Sequence, residues 1–165
     1  MVITDSVHDK VFKSALANVD DAAAELRAIL PSALVAHVER KTLAPVPGTF
    51  IDEVMKGAYA DLLFTVKYQD KPVLLYVLCE HKSEVDKWTL LQLLWYMVRI
   101  WEQVLSQKPA PVELPVIIPV IVHHSESGWT AVTCFQELFG LVVREDVVLR
   151  RLTPDFEAVV DDISH

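Results

Sequence analysis

Apolar residues follow two different periods along the chain, and the change of period separates helical from strand-like parts. In the first thirty residues they recur every three or four positions, which is typical of amphipathic helices. From residue 61 onward, short runs rich in β-branched and aromatic residues indicate strands. Residues 73–79 are almost continuously apolar, which favours a strand covered on both faces and therefore central in its sheet.

The pattern predicts an α/β fold with a small mixed central sheet flanked by helices. Pro119 interrupts one strand and favours an edge or a bulge there. In chain order, the predicted elements are helices over 4–17 and 20–30, a short turn over 31–38, a loop over 42–48, an extended segment over 49–51, strands over 61–68 and 73–79 joined by a turn over 69–72, a long helix over 86–107, a strand over 116–122, a short helix over 131–140 and a final strand over 156–163.

Length and composition indicate one globular domain. The chain has 165 residues, of which 52% are hydrophobic and 23% charged, enough apolar surface for a core of its own. The most apolar stretch, residues 88–105, contains an arginine, a glutamate and two glutamines, so it predicts a core helix rather than a membrane span. The N-terminus lacks the pattern of a secretory signal and the two cysteines lie far apart, so we expect a cytoplasmic protein without membrane contact.

The net charge limits the ways in which this protein could hold nucleic acid. A formal charge of -8 argues against a broad basic surface that grips a phosphate backbone. Divalent cations in a carboxylate-rich cleft, or positive charge from another segment or subunit, would weaken that objection.

Two acidic residues and a lysine are predicted to meet at the open end of a hairpin. If the turn is centred between Asp70 and Lys71, Asp61 pairs with Glu80 across the ladder. Opposed residues share a face, with Cβ atoms about 5 Å apart. Lys82 shares that face because side chains alternate along a strand. A slip by one residue would remove the arrangement.

Such a group suits the hydrolysis of a phosphodiester. Two carboxylates can hold Mg²⁺, which polarises a phosphoryl oxygen and makes a bound water more acidic. A lysine can orient or deprotonate that water and offset developing charge. The same short pattern also arises from solvated strand ends. Its position favours a site here, because Glu80 directly follows an apolar strand and an acid falls opposite.

These residues resemble the PD-(D/E)XK nuclease superfamily and, more narrowly, the recombination-promoting nuclease (Rpn) family of transposase-like proteins. The resemblance covers about residues 8–129 and continues more weakly to the end. It is carried, beyond the acids themselves, by the stretches 8–13, 47–53, 59–64 and 96–102.

The resemblance implies an α/β nuclease core of the PD-(D/E)XK type, a divalent cation and DNA cleavage linked to recombination or mobile elements. It places the acidic pair on Asp61 and Glu80, with Mg²⁺ as the cofactor and Mn²⁺ or Ca²⁺ able to substitute in binding. At Lys82 the family often has glutamine, and lysine restores the pattern of the wider superfamily. Members usually run well beyond 165 residues, so we expect one domain over 1–165, with a core over 8–130 and a truncated C-terminal extension over 131–165.

Further candidates lie on the two flanking helices. Gln92 and Tyr96 look like the Q-x-x-x-Y element of RecB-like nucleases, which implies contacts with a metal-bound water, a phosphate or the DNA backbone. Together with Arg99 and Gln103 they also fit an ordinary solvent-facing polar stripe. Asp9 is a candidate third metal ligand, and it equally suits a helix start that the macrodipole favours.

Two other functions stay open. The same fold could serve as a non-catalytic interaction module, since three tryptophans of the long helix (Trp88, Trp95 and Trp101) suit either a homo-oligomer interface or the core. RNA could replace DNA as the substrate. His123 and His124 follow a strand, point opposite ways and cannot chelate one metal, so we interpret them as strand-end residues, one of which could contact substrate.

Overall fold

The computed structural model describes most of the sheet and the helices that cover it. The described residues are 18, 21, 24, 26–28, 30–46, 62–80 and 85–164, with the backbone alone for 33 and 78–80. In chain order the named elements are α1 (Ser32–Val35), β1 (Val38–Pro45), β2 (Leu62–Tyr68), β3 (Lys71–Glu80), α2 (Thr89–Leu105), β4 (Val116–His123), a 3₁₀ helix (Phe135–Phe139), α3 (Leu141–Glu145), α4 (Val147–Leu152) and β5 (Val159–Asp162).

The five strands form one mixed sheet in the order β1-β2-β3-β4-β5. The pairs β1–β2 and β2–β3 are antiparallel, whereas β3–β4 and β4–β5 are parallel. The helix α2 forms the crossover between the parallel strands β3 and β4. The prediction of an α/β fold with a mixed sheet flanked by helices is confirmed.

Each face of the sheet buries its own apolar cluster. On the face covered by α2, which we call the α2 face, strand and helix residues pack together; they are Leu63, Tyr76, Ile117 and Ile121 with Leu90, Leu93, Tyr96, Met97, Ile100 and Val104. The opposite face buries Phe64, Val66, Val73, Leu75, Val77, Val120 and Val122 against Leu26 and Leu30. This two-sided burial explains why the sequence of β3 is almost continuously apolar.

The helix that supplies Leu26 and Leu30 agrees with the second predicted helix in its described residues. Residues 21, 24 and 26–28 are helical, and the N–H of Leu30 donates to the carbonyl of Leu26 at 2.9 Å. The short helix α1 follows Pro31, where the sequence predicts a turn. The predicted helix over 4–17 and the extended segment predicted over 49–51 lie outside the described residues.

The strand β1 is not among the predicted elements. Its last four residues, 42–45, fall in the loop predicted over 42–48, so that prediction is wrong for the first four residues of the loop. The pairing of β1 shifts register between Glu39 and Ala44, so the apolar alternation that would announce a strand is lost. At the irregularity, Thr42 Oγ1 donates to the carbonyl of Glu39 at 2.6 Å and accepts from the N–H of Lys67 at 2.8 Å. The threonine hydroxyl therefore supplies a partner where the backbone ladder is interrupted.

The turn between β2 and β3 lies one residue earlier than predicted. It consists of Gln69 and Asp70, both with positive φ (48° and 65°), as a two-residue turn of type I′ requires. Leu62 therefore pairs with Val77, whereas the predicted register would have paired it with Cys79. The assumed centre between Asp70 and Lys71 is wrong, because glutamine at a left-handed position is not a strong turn signal.

The remaining predicted elements are present, with narrower or similar bounds. The long helix, the short helix (here 3₁₀) and the final strand fall within their predicted ranges. Pro119 lies inside β4, which is not an edge strand over its full length. Pairing with β5 begins only at Val120, however, so the first half of β4 has the edge character that a proline needs.

The outer face of α2 is more apolar than expected. Trp88 and Trp95 are 49% and 47% exposed, so of the two alternatives, core and interface, neither side chain belongs to the core. Trp101 is half-buried and its Nε1–H donates to the carbonyl of Pro115 at 2.9 Å. None of the helices in the described part of the chain has both the length and the apolarity to cross a membrane.

Candidate active site

The carboxyl ends of β3, β4 and β5 lie at the same edge of the sheet, which we call the carboxyl edge. Register pairs Glu80 with His123, and His123 in turn with Asp162. The three positions form a row across three parallel strands, and directly paired positions share a face. In α/β sheets, ligands commonly bind just outside the carboxyl ends of parallel strands.

Strand alternation assigns this row to the α2 face. Position 123 lies two residues after Ile121, and position 80 lies four residues after Tyr76, both of which belong to the cluster under α2. The first turns of α2 follow within a dozen residues of Glu80. The last residue of β3 and the beginning of α2 are thus on the same side of the sheet.

The predicted site residues fall partly within the structure. Glu80 is the last residue of β3 and is described by its backbone. Asp9, Asp61 and Lys82 lie outside the described residues. The observed register of β2 and β3 is two positions away from the one that would pair Asp61 directly with Glu80, so that predicted pairing is wrong. The face expected for Asp61 relative to Glu80 does not change, because side chains alternate with period two. Their common face stays a prediction.

The two candidates on α2 differ in exposure. Gln92 is half-buried in the first turn, where its N–H donates to the carbonyl of Trp88 at 3.1 Å. Tyr96 is only 3% exposed, and its ring lies 5.7 Å from that of Tyr76 in the core. Tyr96 therefore does not belong to a solvent-facing stripe. Tyr96 packs instead on the α2 face, to which strand alternation assigns positions 80, 123 and 162.

His123 is the residue that sequence reasoning undervalued. Its side chain is fully buried, with Nε2 2.8 Å from Ser125 Oγ and the ring edge-on to Trp129 at 5.2 Å. The Nδ1 atom has no hydrogen-bond partner among the residues whose side chains the structure describes. The signal was its place directly after the apolar run of β4, at a carboxyl strand end.

Asp162 fixes the loop that follows β4. Its carboxylate accepts from the N–H of Trp129 at 2.7 Å and from the N–H of Ser164 at 3.2 Å. Gly128 has φ +71°, and a Cβ there would lie 2.8 Å from Asp162 Oδ2, so a side chain would be both strained and too close. The Ser164 hydroxyl first, then the Trp129 N–H, lowers the pKa of the Asp162 carboxyl from 3.8, and nearby His123 lowers it further.

The lowered pKa of Asp162 predicts a contribution to stability that depends on pH. A carboxyl whose pKa is lowered by folding stabilises the native state above its unfolded pKa, and the stabilisation is lost as pH falls through the folded pKa. We expect the wild type to exceed Asp162→Asn in free energy of unfolding at neutral pH, with the difference shrinking as pH falls below 3.8. Urea unfolding of both proteins over a pH series measures it. A difference that stays constant down to the acid range would contradict this expectation.

Comparison with known proteins identifies the relatives of the chain. Residues 6–165 match the model of a family described as putative transposase, YhgA-like. The chain is 29% identical over 134 residues to the recombination-promoting nuclease RpnA and 31% identical over 120 residues to RpnC, both of Escherichia coli K12. It is also 27% identical over 125 residues to a protein of that strain named the inactive recombination-promoting nuclease-like protein RpnE.

The matches cover most of this chain but less than half of these relatives. They include 81%, 73% and 76% of the chain, and 45%, 39% and 41% of RpnA, RpnC and RpnE respectively. No solved structure matches significantly. The family resemblance read from the sequence is confirmed: the chain belongs to the YhgA-like putative transposase family, and its curated relatives include the Rpn proteins.

Proposed function

We propose that the chain is the catalytic domain of a metal-dependent DNA endonuclease that hydrolyses phosphodiester bonds during recombination or the movement of mobile elements. One observation carries the proposal: Glu80 ends a buried strand at the carboxyl edge of three parallel strands, beside the buried His123. The names of RpnA and RpnC as recombination-promoting nucleases support the reaction and DNA as the partner.

The topology supports a PD-(D/E)XK core. An antiparallel meander (β1-β2-β3) is followed by the crossover helix α2 and by β4 parallel to β3. This order puts the end of the E-x-K strand at an edge from which substrate can approach, with one helix layer on each face. It is the arrangement that the proposed chemistry needs.

The donor set suits Mg²⁺. Within the described residues there is no group of three or more His, Cys, Asp or Glu side chains that could hold an ion. The proposed ligands are instead carboxylates whose side chains lie outside them, Asp61 and Glu80 with Asp9 as a third. Carboxylate oxygens are hard ligands that Mg²⁺ prefers, and Mn²⁺ or Ca²⁺ accept the same set. When bound, the ion polarises a phosphoryl oxygen and makes its water more acidic.

The other residues act on the substrate and on the proton. Lys82 Nζ orients the attacking water, or takes up its proton, and offsets charge on the phosphoryl oxygens. Gln92, half-buried at the start of α2, donates its amide to a phosphate or to a bound water. Tyr96 is buried, so we assign it to the wall of the site beneath Gln92, with its hydroxyl as the group that could reach substrate.

The charge of the chain shapes how DNA would be held. With a net charge of -8, binding would depend on the cation and on local contacts more than on a basic surface. RNA remains the alternative substrate because the hydrolysis is chemically similar. A cytoplasmic location is part of the proposal, because DNA, the proposed substrate, lies in the cytoplasm of bacteria such as Escherichia coli, the source of the relatives named above.

Metal dependence tests the proposal directly. The purified chain should convert supercoiled plasmid to nicked circles in Mg²⁺ or Mn²⁺, and chelation by EDTA should stop the conversion. A labelled RNA of the same sequence, added in parallel, measures the preference for DNA. Nicking that persists in EDTA, or no nicking and no metal binding at all, would reject the assignment.

A second function is favoured by the outer face of α2. Trp88, Leu91, Trp95 and Val98 are each between 42% and 50% exposed, which is unusual for large apolar side chains grouped on one helix. One relative of the chain, RpnE, is named inactive. The chain would then be an assembly module that pairs with a second copy. Calorimetric titration with Mn²⁺ separates the two functions, because only the enzyme requires heat of binding that Asp61→Ala and Glu80→Ala abolish.

A further inference from the structure

The helix α4 exposes most of its apolar side chains. Val147, Val148 and Leu152 are 69%, 65% and 76% exposed, and none of the six residues of the helix is buried against the described part of the chain. A helix this short is marginal in water, because helices in proteins are stabilised mainly by packing an apolar face. The apolar side chains of α4 therefore need a surface that the described residues do not supply.

Hydrogen bonds fix both ends of α4 without covering these side chains. The side chain of Asp146 caps the first turn, where its Oδ1 accepts from the N–H groups of Val148 and Leu149 at 2.8 and 3.0 Å. At the other end, Gln136 Nε2 donates to the carbonyl of Arg150 at 2.7 Å. The helix is therefore held in place by polar groups, and its apolar side chains stay open to a partner.

Exposed apolar side chains continue through the segment that precedes α4. Three more of them, Phe139, Leu141 and Val142, are between 46% and 69% exposed. Taking about 100 Å² for a whole side chain of this size, the six together expose roughly 400 Å² of apolar surface. Each partner in a standard protein–protein interface buries about 800 Å², of which a little over half is apolar. Residues 139–152 thus offer nearly the apolar area that one partner needs.

The outer face of α2 has less need of a partner. Leu91 on that face is 50% exposed, but Leu93 of the same helix is fully buried, so packing of the inner face stabilises α2 whether or not its outer face is covered. The helix α4 buries no residue in this way within the described part of the chain. Residues 139–152 are therefore the apolar surface on which a partner would contribute most.

The order of charges around Val148 identifies that partner as a second copy of the chain. Two acids at positions 145 and 146 precede Val148, and two arginines at positions 150 and 151 follow it at the same distances along the sequence. In two antiparallel copies centred on Val148, Glu145 of one lies beside Arg151 of the other, and a twofold axis makes the contact twice. Glu145 and Arg151 are exposed, and neither forms an ion pair within the described residues.

We propose that residues 139–152 form the interface of a homodimer, in which α4 runs antiparallel to its counterpart and Val148 lies at the twofold axis. Opposite charges then flank an apolar centre on both sides, which fixes the register of the two helices. A lipid surface or a phosphate backbone would instead select cations, whereas the acids and arginines around Val148 balance. This dimer does not depend on nuclease activity, and it uses a different surface from the outer face of α2.

Sedimentation equilibrium over a range of protein concentrations measures the dimer. The wild type should associate, and Val148→Lys, which brings two ammonium groups together at the axis, should raise the dissociation constant at least about 100-fold. Leu91→Lys introduces the same charge at a position on α2 that is 50% exposed, so it is the matched control and should dimerise like the wild type. Neither substitution removes a buried side chain, so circular dichroism should show that both proteins are folded.

A charge exchange tests the register of the two helices. Arg151→Glu brings like charges together at two symmetry-related places and should raise the dissociation constant at least about tenfold. Adding Glu145→Arg restores opposite charges and should return the dissociation constant to within about threefold of the wild type, a coupling that distant residues do not show. Glu113→Arg, which replaces an exposed acid outside residues 139–152, should not restore it.

The homodimer is rejected if the wild type is monomeric at every concentration, or if Leu91→Lys dissociates the dimer and Val148→Lys does not. It is also rejected if Glu145→Arg fails to restore the association of Arg151→Glu, or if the wild-type monomer binds anionic phospholipid vesicles and Val148→Lys abolishes that binding. Should Val148→Lys fail to fold, the charge exchange decides alone. A dimer that does not nick plasmid leaves this interface standing and rejects the nuclease, whereas a monomer that nicks plasmid does the reverse.

Discussion

Replacing Asp61 or Glu80 with alanine is expected to lower the rate of plasmid nicking at least about a thousandfold, while the protein stays folded. A bound cation contributes several kcal/mol to the stabilisation of charge in the transition state, and each 1.36 kcal/mol is about a factor of ten in rate. Losing either carboxylate removes a ligand on which that contribution depends. Initial rates of nicking, with circular dichroism to check folding, measure the effect.

A matched control distinguishes a site carboxylate from any acidic residue. Glu102 lies on α2 and makes a surface ion pair with Arg99 at 2.9 Å, with its own side chain 59% exposed. Such a pair contributes little, so Glu102→Ala should nick at the wild-type rate. Lys82→Ala should lose activity yet still bind Mn²⁺, because lysine is not a ligand of the ion. Unchanged nicking in both Asp61→Ala and Glu80→Ala would reject the assignment of the active site to these carboxylates.

Membership of the family does not decide whether this chain is active, so the nicking experiment is needed. Its curated relatives include proteins named as nucleases and two whose names call them inactive or putatively inactive, at similar identities to this chain. Core packing and catalytic side chains are largely separate requirements, so membership of a family does not by itself establish activity. The acids at the end of the hairpin are the residues that decide between the two outcomes.

The parts of the fold with a strong local signal were predictable. The run over residues 73–79 is apolar on both sides because both sheet faces are covered, and the amphipathic pattern of α2 continues for seventeen residues. These signals depend on the local sequence alone. They were enough to predict the mixed sheet and the long helix.

The elements without such a signal depend on long-range pairing. The strand β1 is identified by its partner β2, and its register shift removes the alternation between Glu39 and Ala44. The hairpin turn uses Gln69 and Asp70 rather than a glycine, so its centre was misplaced by one residue. In both cases a neighbouring strand stabilises a conformation that the local residues favour only weakly.

The row of positions 80, 123 and 162 at the carboxyl edge could not be predicted from the sequence for the same reason. That Glu80 pairs with His123 depends on the parallel register of β3 and β4, whose partners are forty-three residues apart in sequence. That Asp162 completes the row depends on β5 as well. Residue types alone could suggest the acids of the hairpin, whereas the imidazole beside them becomes visible only when the sheet is assembled.

The two apolar faces of α2 provide the last prediction, which compares the same substitution on each. Leu93 is fully buried against the sheet, whereas Leu91 is 50% exposed on the outer face. Leu93→Ala should lower the free energy of unfolding by about 2–5 kcal/mol, because it removes buried methyl groups and leaves a cavity. Leu91→Ala should change it by less than about 1 kcal/mol, since a side chain on the surface loses few contacts. Urea unfolding at low protein concentration measures both.

The comparison also tests how the outer face is used. Both substitutions remove the same atoms from positions two residues apart in one helix, so helix propensity cancels to a first approximation. If Leu91→Ala costs as much as Leu93→Ala, and the cost grows with protein concentration, the outer face is buried between two copies of the chain. If Leu91→Ala instead lowers the free energy of unfolding only slightly at every protein concentration, Leu91 on the outer face contributes little to the stability of the chain.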